Sequence, residues 1–294
     1  MDFFNDFQIS FIKIKRGFMR YRKAGKGPPL LMLHGNPQTH VMWHKVAPIL
    51  LKNFTVICPD IPGYGKSFKP KLSQNHEGYS KKNMARDISE FMSLLGFNSY
   101  YIVAHDRGAR IAHRLALDFP DKVIKIILLD IIPTIEHFER TNMDFAMGYY
   151  HWFWLAQRSP IPESVINKAP EEWFFAHTSR EKKDRNFFSP LALEDYLECV
   201  KNPATISAIC EDYRAAATID LIDDKFSRKN KIKLQMPVKV LWGSKGKIEK
   251  WYKPLSIWQN YCSQEVNGNA INSGHYLAEE NPEEILENIN NFLT

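Results

Sequence analysis

Short apolar runs bounded by turn residues alternate along this chain with longer stretches of helical spacing. Gln8–Ile14 and Phe18–Lys23 read as two strands joined at Arg16-Gly17. Pro29–Leu33 is a short apolar strand ending at His34-Gly35, and Phe54–Cys58 another ending at Pro59-Asp60. Met84, Ile88, Phe91, Met92 and Leu95 recur with a period near 3.6 and predict a helix over Asn83–Leu95. A strand at Asn98–Ala104, a helix at Ile111–Phe119 and a strand at Ile124–Leu129 follow. Val238–Trp242 and Glu265–Ile271 give two more strands, and Glu283–Phe292 a closing helix. Alternation of strands and helices predicts an α/β fold: a mostly parallel, eight-stranded sheet covered on both faces.

The stretch from Pro133 to about Leu221 breaks this rhythm. It is rich in aromatic residues, including Phe145, Tyr149, Tyr150, Trp152, Phe153, Trp154, Trp173, Phe174 and Phe175, and is punctuated by Pro160, Pro162, Pro170, Pro190 and Pro203. Its apolar spacing is helical, so residues 134–221 read as a helical cap inserted into a core made of 1–133 and 222–294.

Composition narrows the function classes. With 294 residues and 44% hydrophobic content the chain can bury a large core. The net charge of +6 comes from scattered lysines, without an arginine-rich tract interleaved with aromatics, so nucleic acid is not an expected partner. No run of about 18 apolar residues predicts a membrane span, and Met1–Lys15 lacks the apolar stretch of a signal peptide. None of the four cysteines is spaced Cys-x-x-Cys, so no metal or redox motif is signalled. The expectation is a cytoplasmic protein without a cofactor.

The chemistry concentrates at Val103–Arg110, V-A-H-D-R-G-A-R. A strand, a tight turn ending in Gly108 and a helix form the context of a nucleophile elbow, with Asp106 where many hydrolases carry serine. A carboxylate there makes an ester of the enzyme itself, which suits displacement at an sp3 carbon such as an alkyl halide or epoxide. Turnover then needs a base to activate water and an acid to orient that base. His275, in the loop after the last strand, stands where an α/β-hydrolase keeps its histidine. Asp130, at the end of the strand after the elbow helix, is the chosen orienting acid, and Glu249 the reserve. The backbone N–H groups of Asn36 and Arg107 stand where an oxyanion hole is built.

Together, His34-Gly35-Asn36-Pro37-Gln38, Asp60-Ile61-Pro62-Gly63-Tyr64-Gly65-Lys66-Ser67, His105-Asp106-Arg107-Gly108-Ala109-Arg110 and Leu129-Asp130-Ile131-Ile132-Pro133-Thr134 resemble the haloacetate dehalogenases of the α/β-hydrolase superfamily, and among them the fluoroacetate dehalogenases. The likeness continues through Tyr150-His151-Trp152 and Asp212-Tyr213-Arg214-Ala215 to Gly274-His275. It implies that Asp106 is the nucleophile, His275 the base and Asp130 its partner. It implies that Arg107 and Arg110 bind a substrate carboxylate, and that His151, Trp152 and Tyr213 cradle the departing halide. The implied partner is a small anionic haloacid, converted to the 2-hydroxyacid, and the implied assembly a homodimer. The chain departs from the family at Asn36, where close members have Phe and haloalkane dehalogenases have Asn. Trp173–Pro190 matches nothing recognisable, so no pocket wall is assigned there. An epoxide hydrolase would use the same Asp106 and His275, with Tyr149, Tyr150 or Tyr213 as phenolic donors. A non-catalytic binding protein on the same scaffold is a third reading, against which the retained Asp106, Asp130 and His275 speak.

Overall fold

Strand order in the computed structural model, which describes residues 3–178 and 187–294, explains where the chemistry must sit. The sheet runs β1(Gln8–Ile14), β2(Gly17–Ala24), β4(Thr55–Pro59), β3(Pro29–Leu33), β5(Tyr100–His105), β6(Val123–Leu129), β7(Val238–Gly243), β8(Asn267–Ile271). The first two pairings, β1 with β2 and β2 with β4, are antiparallel, and all others are parallel. Chain order reverses beside β3, so the crevice at the carboxyl ends of β3, β5 and β6 is the natural ligand position of such a sheet.

The central strands are buried from both faces. That is why Leu30–Leu33 and Ile126–Leu129 are unbroken apolar runs rather than alternating ones. The elbow helix, Asp106–Asp118, starts five residues before the expected Ile111. Its first turn, Asp106 to Arg110, is buried on every side, so it carries no polar–apolar alternation to read. Between β6 and β7 the described residues form short helices: Thr134–Glu139, Met143–Gly148, His151–Trp154, Ile161–Ile166, Pro170–Thr178, Pro190–Val200, Pro203–Ala217 and Ile219–Lys229. They lie over the carboxyl end of the sheet, and the expected boundary at Leu221 falls inside the last of them. Among the described residues no helix is long and apolar enough to cross a membrane.

Candidate active site

At the elbow, His105 is still extended while Asp106 turns to φ +45°, the left-handed region that costs a residue with a Cβ roughly 1–3 kcal/mol. Two glycines make the turn possible. A Cβ on Gly35 would meet the Asp106 Cβ at 2.5 Å, and one on Gly108 would meet the His34 carbonyl oxygen at 2.3 Å. Through the gap left by Gly35, the Asn36 backbone N–H donates to Asp106 Oδ1 at 2.9 Å. The Arg107 N–H lies in the first turn of the elbow helix, where amides have no intrahelical acceptor. The loop carrying Asn36 is held by His34, whose Nε2 accepts from the Ile61 N–H at 3.0 Å. Burial pushes the His34 pKa down to about 4, which keeps that nitrogen an acceptor.

His275 is fixed from three sides. Its Nδ1 lies 2.5 Å from Asp130 Oδ2, while Asp130 Oδ1 accepts from the Gly243 N–H at 3.0 Å. The His275 carbonyl lies 2.8 Å from His105 Nε2, and Glu280 accepts from the N–H groups of Gly274 and Tyr276 on either side. Burial and the neighbouring His275 push His105 down to about 3, so a neutral ring donates from Nε2. With Nδ1 turned to Asp130, Nε2 of His275 faces the elbow, 4.0 Å from Asp106 Oδ2 and beyond hydrogen-bond reach. Glu249 lies elsewhere and accepts from the Trp242 indole N–H. Burial alone would raise the Asp106 carboxyl. His275, His105, Arg107 and Arg110 outweigh burial and bring it down to about 2.

The two arginines differ. Arg107 Nε donates to Asp212 Oδ2 at 2.6 Å, and its Nη2 to the Asp212 carbonyl at 2.8 Å. Its guanidinium lies 4.3 Å from the Tyr213 ring, and Nη1 is buried without a hydrogen-bond partner among the described residues. Arg107 is not among the residues lining the cavity over Asp106. Arg110 is. Its Nη1 donates to the Ile132 carbonyl and to Thr134 Oγ1, both at 3.0 Å, and its guanidinium lies 4.7 Å over Trp152. It is 4% exposed and has no carboxylate bonded to it among the described residues. Burial and the charge of Arg107 lower its pKa to about 10, against the pull of Asp106.

A small cavity is lined by Asn36, Asp106, Arg110 and His275 from below and by His151, Trp152 and Tyr213 from the cap. Tyr149, His275 and Tyr276 also line a larger neighbouring cavity of about 270 Å³, together with Lys245 and Lys247. His137 and His177 line the inner cavity as well, and sequence reasoning assigned neither a role. His177 falls in the stretch that no motif covers, and its Nε2 lies 2.9 Å from Asn36 Nδ2. The same amide lies 3.4 Å from the Tyr213 hydroxyl, so Asn36 joins the elbow loop to the cap.

This assembly comprises an elbow carboxylate, a base on a partner acid, and an amide aimed at the carboxylate oxygen. It can form and hydrolyse an ester on the protein. Residues 28–282 match the alpha/beta hydrolase fold family. The chain belongs to that family. Within it, this hydrolase belongs with the haloacetate dehalogenases. It is 37% identical to a fluoroacetate dehalogenase from Burkholderia sp. over 92% of its own length and 88% of the relative's. It is also 31% identical to a soluble epoxide hydrolase from Corynebacterium sp. (strain C12), over 92% of its own length and 91% of that protein's. A solved structure of an alpha/beta hydrolase from Nostoc sp. PCC 7120 superposes with a TM-score of 0.96 at 48% identity, covering 99% of each chain.

Proposed function

We propose that this hydrolase dehalogenates short 2-haloacids, such as chloroacetate or fluoroacetate, through an ester on Asp106. Oδ1 is held by the Asn36 N–H, so Oδ2 attacks the carbon bearing the halogen. The halide leaves with the bonding pair toward the His151, Trp152 and Tyr213 side of the cavity, where N–H and O–H donors replace part of its water. The bound acid is then esterified to Asp106. His275 Nε2 takes a proton from water, and the resulting hydroxide adds to the ester carbon. The negative charge on Oδ1 rests on the Asn36 and Arg107 amides. Collapse frees the 2-hydroxyacid, and the proton held by His275 restores its hydroxyl.

The observation that carries the substrate class is Arg110. It is a buried guanidinium in the cavity wall with no bonded carboxylate among the described residues, one helical turn from the nucleophile. A planar fork of N–H donors in that position matches a carboxylate. Arg107 takes part through its field rather than as a second fork, because Nε and Nη2 are turned to Asp212 and the residue does not line the cavity. Epoxide opening is the second reading, favoured by Tyr149 and Tyr213 in the same cavity wall. A neutral epoxide leaves Arg110 unused. The test is side-by-side halide release from fluoro-, chloro- and bromoacetate and from their amides, with diol formation from a small epoxide alongside. Release from the acids alone supports the proposal; diol formation without halide release from any acid overturns it.

A further inference from the structure

His137 follows Asp130 closely in sequence, on the short helix Thr134–Glu139, and is fully buried. It lines the same cavity as Asp106 and Arg110. Its ring packs at 4.9 Å from Trp152, 5.4 Å from Phe145 and 5.2 Å from Tyr252, so its orientation is set by aromatic neighbours on several sides. Nδ1 lies 3.0 Å from the Tyr252 hydroxyl. Nε2 is buried and has no hydrogen-bond partner among the described residues. A buried imidazole nitrogen left open costs stability, and such an atom in a cavity wall is a place for ligand contact.

We propose that His137 is a further substrate-binding residue of this site, donating its Nε2–H to the carboxylate that Arg110 holds. The inference rests on the haloacid reading above. This assigns the tautomer with the ring proton on Nε2, in which Nδ1 accepts from the Tyr252 hydroxyl, a group that can donate or accept. Burial, reinforced by the nearby Arg110 charge, holds the ring neutral, so it adds a directed dipole and not a second charge.

Acetate, which has no leaving group, is the probe. In 15N NMR of the wild-type protein, acetate is expected to shift the His137 Nε2–H resonance while that nitrogen stays protonated. His137→Phe keeps a ring and removes the donor, and should weaken acetate binding about tenfold. His137→Gln carries an amide nitrogen near the place of Nε2 and should restore most of it. In turnover, His137→Phe should raise KM for chloroacetate more than for chloroacetamide. Wild type that binds acetate with no change at the His137 resonance overturns this inference and leaves the haloacid reading standing. So does a folded His137→Phe protein that binds acetate as wild type does. Wild type that neither binds acetate nor releases halide from any haloacetate overturns both.

Discussion

The floor and the roof of the cavity are built by different means. On the floor, backbone fixes every reacting group. Asp106 sits on a left-handed turn, its Oδ1 on the Asn36 amide, and Asp130 on the Gly243 amide at the end of β7. The roof is a set of side chains, His151, Trp152, His177 and Tyr213, held by ring packing and, at His177 and Tyr213, by hydrogen bonds to Asn36. Ring centroids there are 4.8 to 6.1 Å apart, a spacing that many aromatic sets satisfy. A sheet places its loops to a fraction of an ångström, and a packed aromatic cluster can be rebuilt by substitution. In the proposed reaction the floor would set the chemistry, and the roof which leaving group it serves.

The comparison is broken most directly on the floor. Asp106→Asn should abolish halide release while leaving thermal stability near wild type, because volume is kept and the attacking oxygen is gone. Wild-type-like release by this variant would remove the nucleophile. His275→Asn should allow one attack and no turnover, so intact-mass measurement should find the protein heavier by one carboxymethyl group. Its absence after a single-turnover incubation with bromoacetate argues against an ester.

At the seam between the two layers, the arginines should separate. Arg110→Leu should lower chloroacetate activity by about 2–5 kcal/mol in the transition state, with no loss of melting temperature. Arg107→Leu removes one of the two cations that face the buried Asp212 and should destabilise the fold by about 3–5 kcal/mol. Equal melting curves for the two variants would contradict the pairing seen here.

On the roof, Trp152→Phe and Tyr213→Phe each remove one donor and keep a ring. Each should cost about 1.5–3 kcal/mol with the poorest leaving group and less with bromide. The readout is the bromoacetate-to-chloroacetate rate ratio in single turnovers, which stays constant if these residues only pack the cap. The smallest expected effect is a null one in pH. The folded Asp106 carboxyl titrates near 2, so it stays ionised above that value. First-turnover bromide release from bromoacetate by the wild-type protein, which keeps His275 beside that carboxyl, should then be flat from neutral pH down to about pH 4, measured by rapid quench. For stability the sign is the usual one for a lowered carboxylate: the contribution is present above the unfolded value and lost as pH falls through the folded one.

The floor was also the legible part of the sequence. Pro29–Leu33 coincides with the expected strand because it is a buried apolar run, and the exposed edge strand Gln8–Ile14 because the Arg16-Gly17 turn bounds it. Asp130 and His275 were readable as loop positions after strands, and they meet at 2.5 Å. The roof was readable only through likeness, since any aromatic on a short cap helix looks like core. His137 and His177 carry no local signal, because only tertiary packing brings them to Asp106. The division of labour between Arg107 and Arg110 was equally hidden. Both lie on one helix face in sequence, and only the position of Asp212 tells them apart.

Asp212 has a consequence for how this protein can be altered by recombination. Its carboxylate, on the cap helix Pro203–Ala217, is bonded to the Tyr64 hydroxyl, the Lys81 ammonium and the Arg107 guanidinium, all three from the core. Burial would raise its pKa, but Arg107 and Lys81 hold it well below the ordinary value, so it is an obligate anion. A cap transplanted from a relative with a neutral residue at this point would leave two buried cations without their shared counter-charge. Cap and core are thus one heritable module. Shuffling for new substrates has to carry the four residues across together, or leave this helix in place and exchange only the segments before it.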